Sequence, residues 1–419
     1  MKQSYWTTAL SQRLSRRRAM VASGGAALGA AFLAACGSDD KADSGAAKKD
    51  SGGLLFKPVD TSKQAAKGGT MQNFIASSND HFDWMTGNFG VYYHTDHTYS
   101  RLVRFKIGTV DSPPDGSAEP DIGTSWEMSP DGLQWTFKVR QGMKLDQRAP
   151  TNGRALNVDD IKWSWDRFAA VSASRSQLVN AVVPDAPVTG VTFPDASTAV
   201  FKLAFPFGAF LHSIGYSWHF VVMPVEAEGK FDVKQEMRGS GPWVMTKFEP
   251  SVGWEYQRNP NWWGAADRPF LDGVKYSLIQ DNAQQQAQFK AGNLWALGQP
   301  YQAANPPADL VLALKKETAG AQLRAISPFQ GNGSYNSLGF SKRDGNPWFT
   351  DVRLRQAVSM LIDRDAWIDT FYNIKGFERE GVPMESGWHS HVPTTWPTIW
   401  LDPKGTKLGE GAKNFQFNP

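Results

Sequence analysis

Residues 239–273, GSGPWVMTKFEPSVGWEYQRNPNWWGAADRPFLDG, read as a twisted β-hairpin that closes on an aromatic knot. Gly239-Ser240-Gly241-Pro242 is a turn, because glycine supplies backbone angles that other residues avoid and Pro242 sets the exit direction. Val244, Thr246 and Phe248 alternate with Trp243, Met245 and Lys247, the period of a strand. Glu249-Pro250-Ser251-Val252-Gly253 supplies the loop, and Trp254, Tyr256 and Arg258 share one face of the returning strand. Asn259-Pro260-Asn261 breaks that strand ahead of Trp262-Trp263-Gly264. Rings at this spacing are first of all sheet core.

Upstream, Gly68-Gly69-Thr70 introduces a strand over 71–75, followed by the polar loop Ala76-Ser77-Ser78-Asn79-Asp80 and then Phe82, Asp83 and Trp84. Ligands of open α/β sheets sit outside strand ends, which makes this loop a candidate contact. The segment 91–99 predicts a helix with His94 and His97 one turn apart, and two histidines without a third ligand make a poor metal centre. His389 and His391 are a second such pair. Leu133, Trp135, Phe137 and Val139 alternate with polar residues, a strand with one buried face. Asn157 is an N-cap, with Asp159 and Asp160 at the positive end of the helix it starts. A strand is predicted over 199–203, another over 274–279, a helix over 282–291, and a short helix over 310–318 with Leu310, Val311 and Leu314 inward. Residues 347–364 read as an amphipathic helix capped by Thr350 or Asp351, its buried stripe being Val352, Ala357, Val358, Leu361 and Ile362.

The 419 residues are enough for two or three domains. The net charge of +3 is set by the N-terminus: Lys2, Arg13, Arg16, Arg17 and Arg18 precede Cys36 without an acid, and residues 36–419 carry 39 basic against 41 acidic groups. That balance offers nothing to nucleic acid. The twin arginine Arg16-Arg17 leads into an Ala- and Gly-rich run ending in Leu33-Ala34-Ala35-Cys36, an export signal over 1–35 that is a poor permanent membrane span. Twin-arginine and Sec export both fit. As the single cysteine, Cys36 excludes an internal disulfide. Residues 37–67 have little to bury and predict a flexible tether of roughly 30 Å root-mean-square reach.

Several blocks together resemble one family. G-S-G-P-W, the Glu-Pro hairpin, R-N-P-N-W-W-G and L-D-G-V at 239–274 closely resemble the extracellular solute-binding proteins of ABC transporters, family 5. That large peptide-binding class also contains nickel, opine and sugar binders. Small residues before Cys36 resemble its lipobox, where the thiol is lipidated and the chain cut before it. Ser100–Arg104, Glu119–Glu127, Arg140–Lys144, Asn157–Trp165, Phe205–Leu211 and Ser334–Ser341 resemble further family segments, and Pro347–Arg364 matches one almost throughout. The chain departs from the family at Leu145-Asp146-Gln147-Arg148, where F-x-D-G is usual, and at Trp295, where an acid is common.

The resemblance implies an α/β, two-lobed periplasmic-binding-protein fold of type II, with an extra subdomain inserted in the first lobe. The expected divisions are 1–35 signal, 36–67 lipidated Cys36 and tether, 68–105 and 225–300 first lobe, 106–224 inserted subdomain, and 301–419 second lobe, with residues 298–308 crossing between lobes. In the family a similar Asn-Pro opens another helix, so the sequence is expected to lack part of the second lobe. The implied function is capture of a peptide or similar small solute and its delivery to ABC permease subunits. The expected receptor is monomeric, exported, and held on the extracytoplasmic face by a lipid anchor at Cys36. Candidate contacts are Asn79, Phe82, Tyr92, Tyr335, Asn336 and Trp388. No catalytic residue, metal or cofactor is called for. Neither G-x-S-x-G, H-E-x-x-H, a phosphate loop nor a dinucleotide fingerprint occurs, which leaves a surface hydrolase as the alternative and a ligand-free surface lipoprotein as a third class.

Overall fold

Thr70–Ile75 (β1) forms the edge of a four-stranded sheet that the 239–273 stretch completes. The computed structural model describes residues 54–76, 81–86, 89–112, 114–216, 219–297, 308–325, 350–390, 392, 394 and 399–418, with the backbone alone at 89–93. After β1 come the helix Phe89–Thr98 (α1) and the short pair Val103–Phe105 (β2) and Ala118–Pro120 (β3). Gly123–Met128 (β4), Gln134–Val139 (β5), the helix Val158–Val171 (α2), Val188–Asp195 (β6), Thr198–Leu203 (β7) and the short helix Phe210–Gly215 (α3) follow. The hub strands are Trp243–Glu249 (β8) and Gly253–Arg258 (β9), succeeded by Gly273–Leu278 (β10) and the helices Asn282–Lys290 (α4) and Ala308–Glu317 (α5). Val352–Met360 (α6), Arg364–Tyr372 (α7) and Ile374–Arg379 (α8) lie toward the C-terminus.

The hub sheet runs β1-β10-β9-β8, parallel between β1 and β10 and antiparallel elsewhere. A second four-stranded sheet, β4-β5-β7-β6, is antiparallel throughout. Trp135, Phe137 and Val139 are buried as the alternation predicts.

One alternation changes in the tertiary structure. The register of β8 shifts between Met245 and Lys247, so Met245 faces Tyr256 while Phe248 faces Trp254. A bulge puts two residues opposite one and flips the faces beyond it. Met245 and Phe248 therefore join the same core, although a regular strand would set them on opposite sides.

That core runs without a break from Met245, Trp254, Tyr256 and Val274 of the hub sheet, through Phe82, Trp84 and Tyr99, to Phe137, Trp165 and Phe201 beside the second sheet. Each such side chain contributes about 1.5–3 kcal/mol by leaving water. On the opposite face of the hub sheet, Phe74, Ile279 and Leu294 form a smaller cluster with Phe289.

Asn157 caps α2 as expected, accepting from the Asp159 and Asp160 amides. Asp160 does more than cap. It is fully buried, takes Arg154 in two hydrogen bonds of 2.9 and 2.6 Å, and accepts the Val225 amide at 3.0 Å. Arg154 also grips Glu226 at 2.7 and 2.5 Å, which fastens the start of α2 to a segment more than sixty residues away.

The single helix expected over 347–364 is two in the structure, α6 capped by Asp351 and α7 capped by Asp363. Its predicted buried stripe is not buried: Val352 is 52% and Leu361 59% exposed, and no residue of α6 is enclosed. The physical reason is one-sided packing. Its C-terminal end is held by the 414–418 segment, Ser359 Oγ donating to the Asn414 carbonyl at 2.6 Å and the Asn418 amide to the Met360 carbonyl at 2.9 Å, and by Arg364, which donates to the Ser359 carbonyl at 2.9 Å and to its Oγ at 2.7 Å.

Candidate functional site

The hub sheet meets α1 through rings. Tyr276 lies opposite Trp254, and Val274 opposite Tyr256, so these side chains stand on one face. His94 and His97 of α1 come down onto that face. The His94 ring packs edge-on against Trp254 at 4.5 Å and Tyr276 at 5.0 Å between centroids. His97 stacks on Tyr256 at 4.8 Å. The Tyr256 hydroxyl donates to the His94 carbonyl at 3.3 Å.

The turn before β8 explains why α1 can sit so close. A Cβ added at Gly239 would come within 2.0 Å of the Thr98 carbonyl oxygen, and one at Gly241 within 2.6 Å. The Gly241 amide donates to that same oxygen at 2.7 Å. The Gly-Ser-Gly turn is thus required by the backbone approach.

Phe82 belongs to this packing. It is fully buried and meets Phe248 at 4.7 Å and Trp254 at 5.2 Å, both edge-on. The expectation of Phe82 as a solute contact is corrected to a core position, since the bulge in β8 brings Phe248 onto the face where Phe82 docks. The next residue, Asp83, is also buried and is held by Arg167 of α2 through hydrogen bonds of 2.9 and 2.8 Å. Burial works to raise the Asp83 pKa. The Arg167 guanidinium and the Thr86 hydroxyl outweigh it and hold the carboxyl below its ordinary range.

The Trp262-Trp263 knot is tied to residues of the 104–140 segment. The Trp263 indole donates to the Asp121 carboxylate at 3.0 Å, and the Arg140 and Arg104 guanidiniums lie 4.0 and 4.9 Å from its ring centroid. Burial pushes the Asp121 carboxyl up, against hydrogen bonds from the Arg101 amide and Trp263. Neither this tie nor the Asp83–Arg167 pair was legible from spacing, because both join residues far apart in the chain.

Toward the C-terminus, Trp388 is enclosed as well. Its indole donates to Asp365 Oδ1 at 2.8 Å, its carbonyl accepts from the Trp400 indole at 3.0 Å, and Lys404 Nζ stands 4.6 Å from its ring. Trp388 is a bracing residue here. His389 Nδ1 accepts the Thr394 amide at 3.0 Å. Of the remaining candidates, Tyr92 lies on α1, while Asn79, Tyr335 and Asn336, like Cys36 and the family-like segment 334–341, lie outside the described residues.

The fold is that of the two-lobed periplasmic binding proteins. It is similar to the Helicobacter pylori ABC transporter-associated periplasmic binding protein DppA in complex with peptide STSA, with a TM-score of 0.55 at 19% identity over 74% of this chain and 60% of that one. It is similar also to the oligopeptide-binding protein AppA of Bacillus subtilis in complex with a nonapeptide, at 0.56 and 16% identity over 84% of this chain and 62% of that one. Residues 117–407 match the model of the bacterial extracellular solute-binding proteins, family 5 (middle), and the chain belongs to that family. Members of the family are substrate-binding transport proteins that work outside the cytoplasm.

Among curated proteins it is 25% identical over 304 residues to the dipeptide-binding protein of Escherichia coli (strain K12), covering 69% of this chain and 53% of the relative. It is 25% identical over 374 residues to heme-binding protein A of Haemophilus influenzae, covering 83% and 62%. The chain thus spans between about half and three fifths of the length of these relatives. Among the described residues no helix is long and apolar enough to cross a membrane.

Proposed function

We propose that this protein captures a small solute between two lobes, 68–105 with 225–300 on one side and 301–419 on the other, and hands it to the permease of an ABC importer. The observation that carries this reading is the family match over 117–407, which includes the hub stretch and reaches into the C-terminal helices. Hinge closure of two rigid halves traps a guest without making or breaking a bond.

A peptide is the leading solute. Extended peptides offer backbone groups for strand-like pairing while their side chains enter adaptable pockets. Relatives named for dipeptides and solved with bound peptides support that choice. Asn79, Tyr92, Tyr335, Asn336 and Trp388 remain the candidate contacts. In this reading the receptor is a monomer, anchored through lipidated Cys36 on the extracytoplasmic face, with residues 37–67 as its tether.

The test is incubation of the purified protein with a defined peptide mixture, followed by mass spectrometry of what is recovered. Intact peptide at one equivalent, with a raised melting temperature, supports the receptor. At a hundred times Kd the stabilisation is about 2.7 kcal/mol. Cleaved product in stoichiometric excess overturns the receptor in favour of a hydrolase. No shift with peptide, haem, opine, sugar or nickel chelate overturns solute capture altogether.

A further inference from the structure

His94 is 8% exposed, and its Nδ1 has no hydrogen-bond partner. The nearby Trp254 indole nitrogen is likewise buried and unpartnered. Polar groups enclosed in this way are rare and call for a cause. Around His94 the neighbours are rings: Trp254 at 4.5 Å, Tyr276 at 5.0 Å, His97 at 6.0 Å and Phe82 at 6.2 Å.

We infer that His94 makes the seating of α1 on the hub sheet acid-sensitive: a proton on its ring places a charge without a counter-ion in an aromatic box, and α1 lifts from β9 and β10.

Among the described residues, the groups facing the box supply no anion. They are His97 on the same helix, Tyr99 just after it, Tyr256 on β9 and Tyr276 on β10, and burial pushes Tyr99 and Tyr256 up, so that both stay neutral. Among carboxylates near α1, Asp96 is engaged by Arg101 at 3.0 Å and Asp83 by Arg167. The ring faces attract a cation, but by less than the solvation the charge forfeits.

Burial, with His97 as a like-charged neighbour, holds the His94 pKa well below its ordinary value. Opening α1 restores an ordinary imidazole of pKa about 6.5. Below that pH the open form gains a proton that the seated form refuses, so each further pH unit favours opening by up to about tenfold. The glycine approach at 239–241 holds the C-terminal end of α1 at Thr98 and does not titrate, whereas the Tyr256 hydroxyl bond to the His94 carbonyl is given up as the helix lifts. The release is therefore a local loosening of the helix. Since α1 carries Tyr92, solute retention weakens over the same window, a consequence that rests on the solute-capture reading.

Hydrogen–deuterium exchange of the 89–98 amides from pH 7.5 to 5, corrected for intrinsic exchange, tests the latch in the wild type, His94→Gln and His94→Phe. Expected is a loss of protection confined to α1 that steepens below about pH 6.5 in the wild type and is flat in both variants. An equal slope in the variants, or no slope in the wild type, overturns it. Should the variants not fold, proton NMR of the wild-type His94 ring decides: titration far below the ordinary range together with α1 opening supports the latch, and ordinary titration with α1 still protected overturns it. Failure here leaves peptide binding at pH 7.5 untouched, whereas absent binding at pH 7.5 removes the function and leaves the exchange result standing.

Discussion

The Arg167 guanidinium meets the Asp83 carboxylate in two parallel hydrogen bonds of 2.9 and 2.8 Å. The pair joins the segment after β1 to α2, in the region read from sequence as an insertion. Asp83 is 2% exposed. Replacing Arg167 by methionine strands a buried charge, which costs about 3–5 kcal/mol. Replacing both partners, as Asp83→Leu with Arg167→Met, restores most of it. Denaturant unfolding of the two variants checks this, and equal losses in both would refute the pair as the cause.

The same pair sets an acid limb. With its folded pKa held low, Asp83 contributes stability that is complete above the unfolded carboxyl value of about 3.9 and is lost as pH falls below it. In Arg167→Met the Thr86 hydroxyl and the Met85 amide still favour the carboxylate, but burial loses its strongest opponent and the Asp83 pKa rises. The stability gap between wild type and variant therefore narrows as pH drops from 7 toward 3. Unfolding free energies at four or five pH values would show it; a constant gap contradicts the assignment.

Gly239→Ala drives a methyl to 2.0 Å from the Thr98 carbonyl, a backbone atom that cannot swing aside. A loss of about 2–4 kcal/mol is expected, in the range of severe overpacking. Gly190→Ala, with nothing within 4 Å of the new methyl, serves as the control and stays within about 0.5 kcal/mol. Differential melting of the two purified variants measures the contrast.

Trp388→Phe removes the donor to Asp365 but leaves that carboxylate its Lys404 partner at 2.7 Å. About 1 kcal/mol is lost. Trp388→Ala empties an enclosed ring site and costs about 3–5 kcal/mol. If Trp388 were an open solute contact instead, both variants would unfold like the wild type and differ only in solute affinity.

Much of the local architecture was readable without coordinates. Asn157 announces α2 because a side-chain oxygen two or three residues from free amides has one obvious use. Trp135, Phe137 and Val139 announce β5 because a pleated strand turns alternate residues to one side. The site was less readable. Phe82 and Trp388 look like exposed aromatics in loop-rich sequence, and only their neighbours, Phe248 and Asp365, enclose them. The stripe from Val352 to Leu361 has helical period, yet period states which face is apolar and not what covers it.

By itself the sequence determined the hub hairpin, the caps and the family, since each depends on residues within a few positions of one another. The tertiary structure alone decided that the bulge after Met245 would bring Phe248 over to the core, that Asp83 would find Arg167, and that His94 would sit in a box of rings with an unpaired nitrogen. Those outcomes follow from packing between segments distant in the chain, 84 residues apart for Asp83 and Arg167 and 162 for His94 and Tyr256. Closeness of that kind is set by how sheets and helices fill space together and leaves no mark in local spacing.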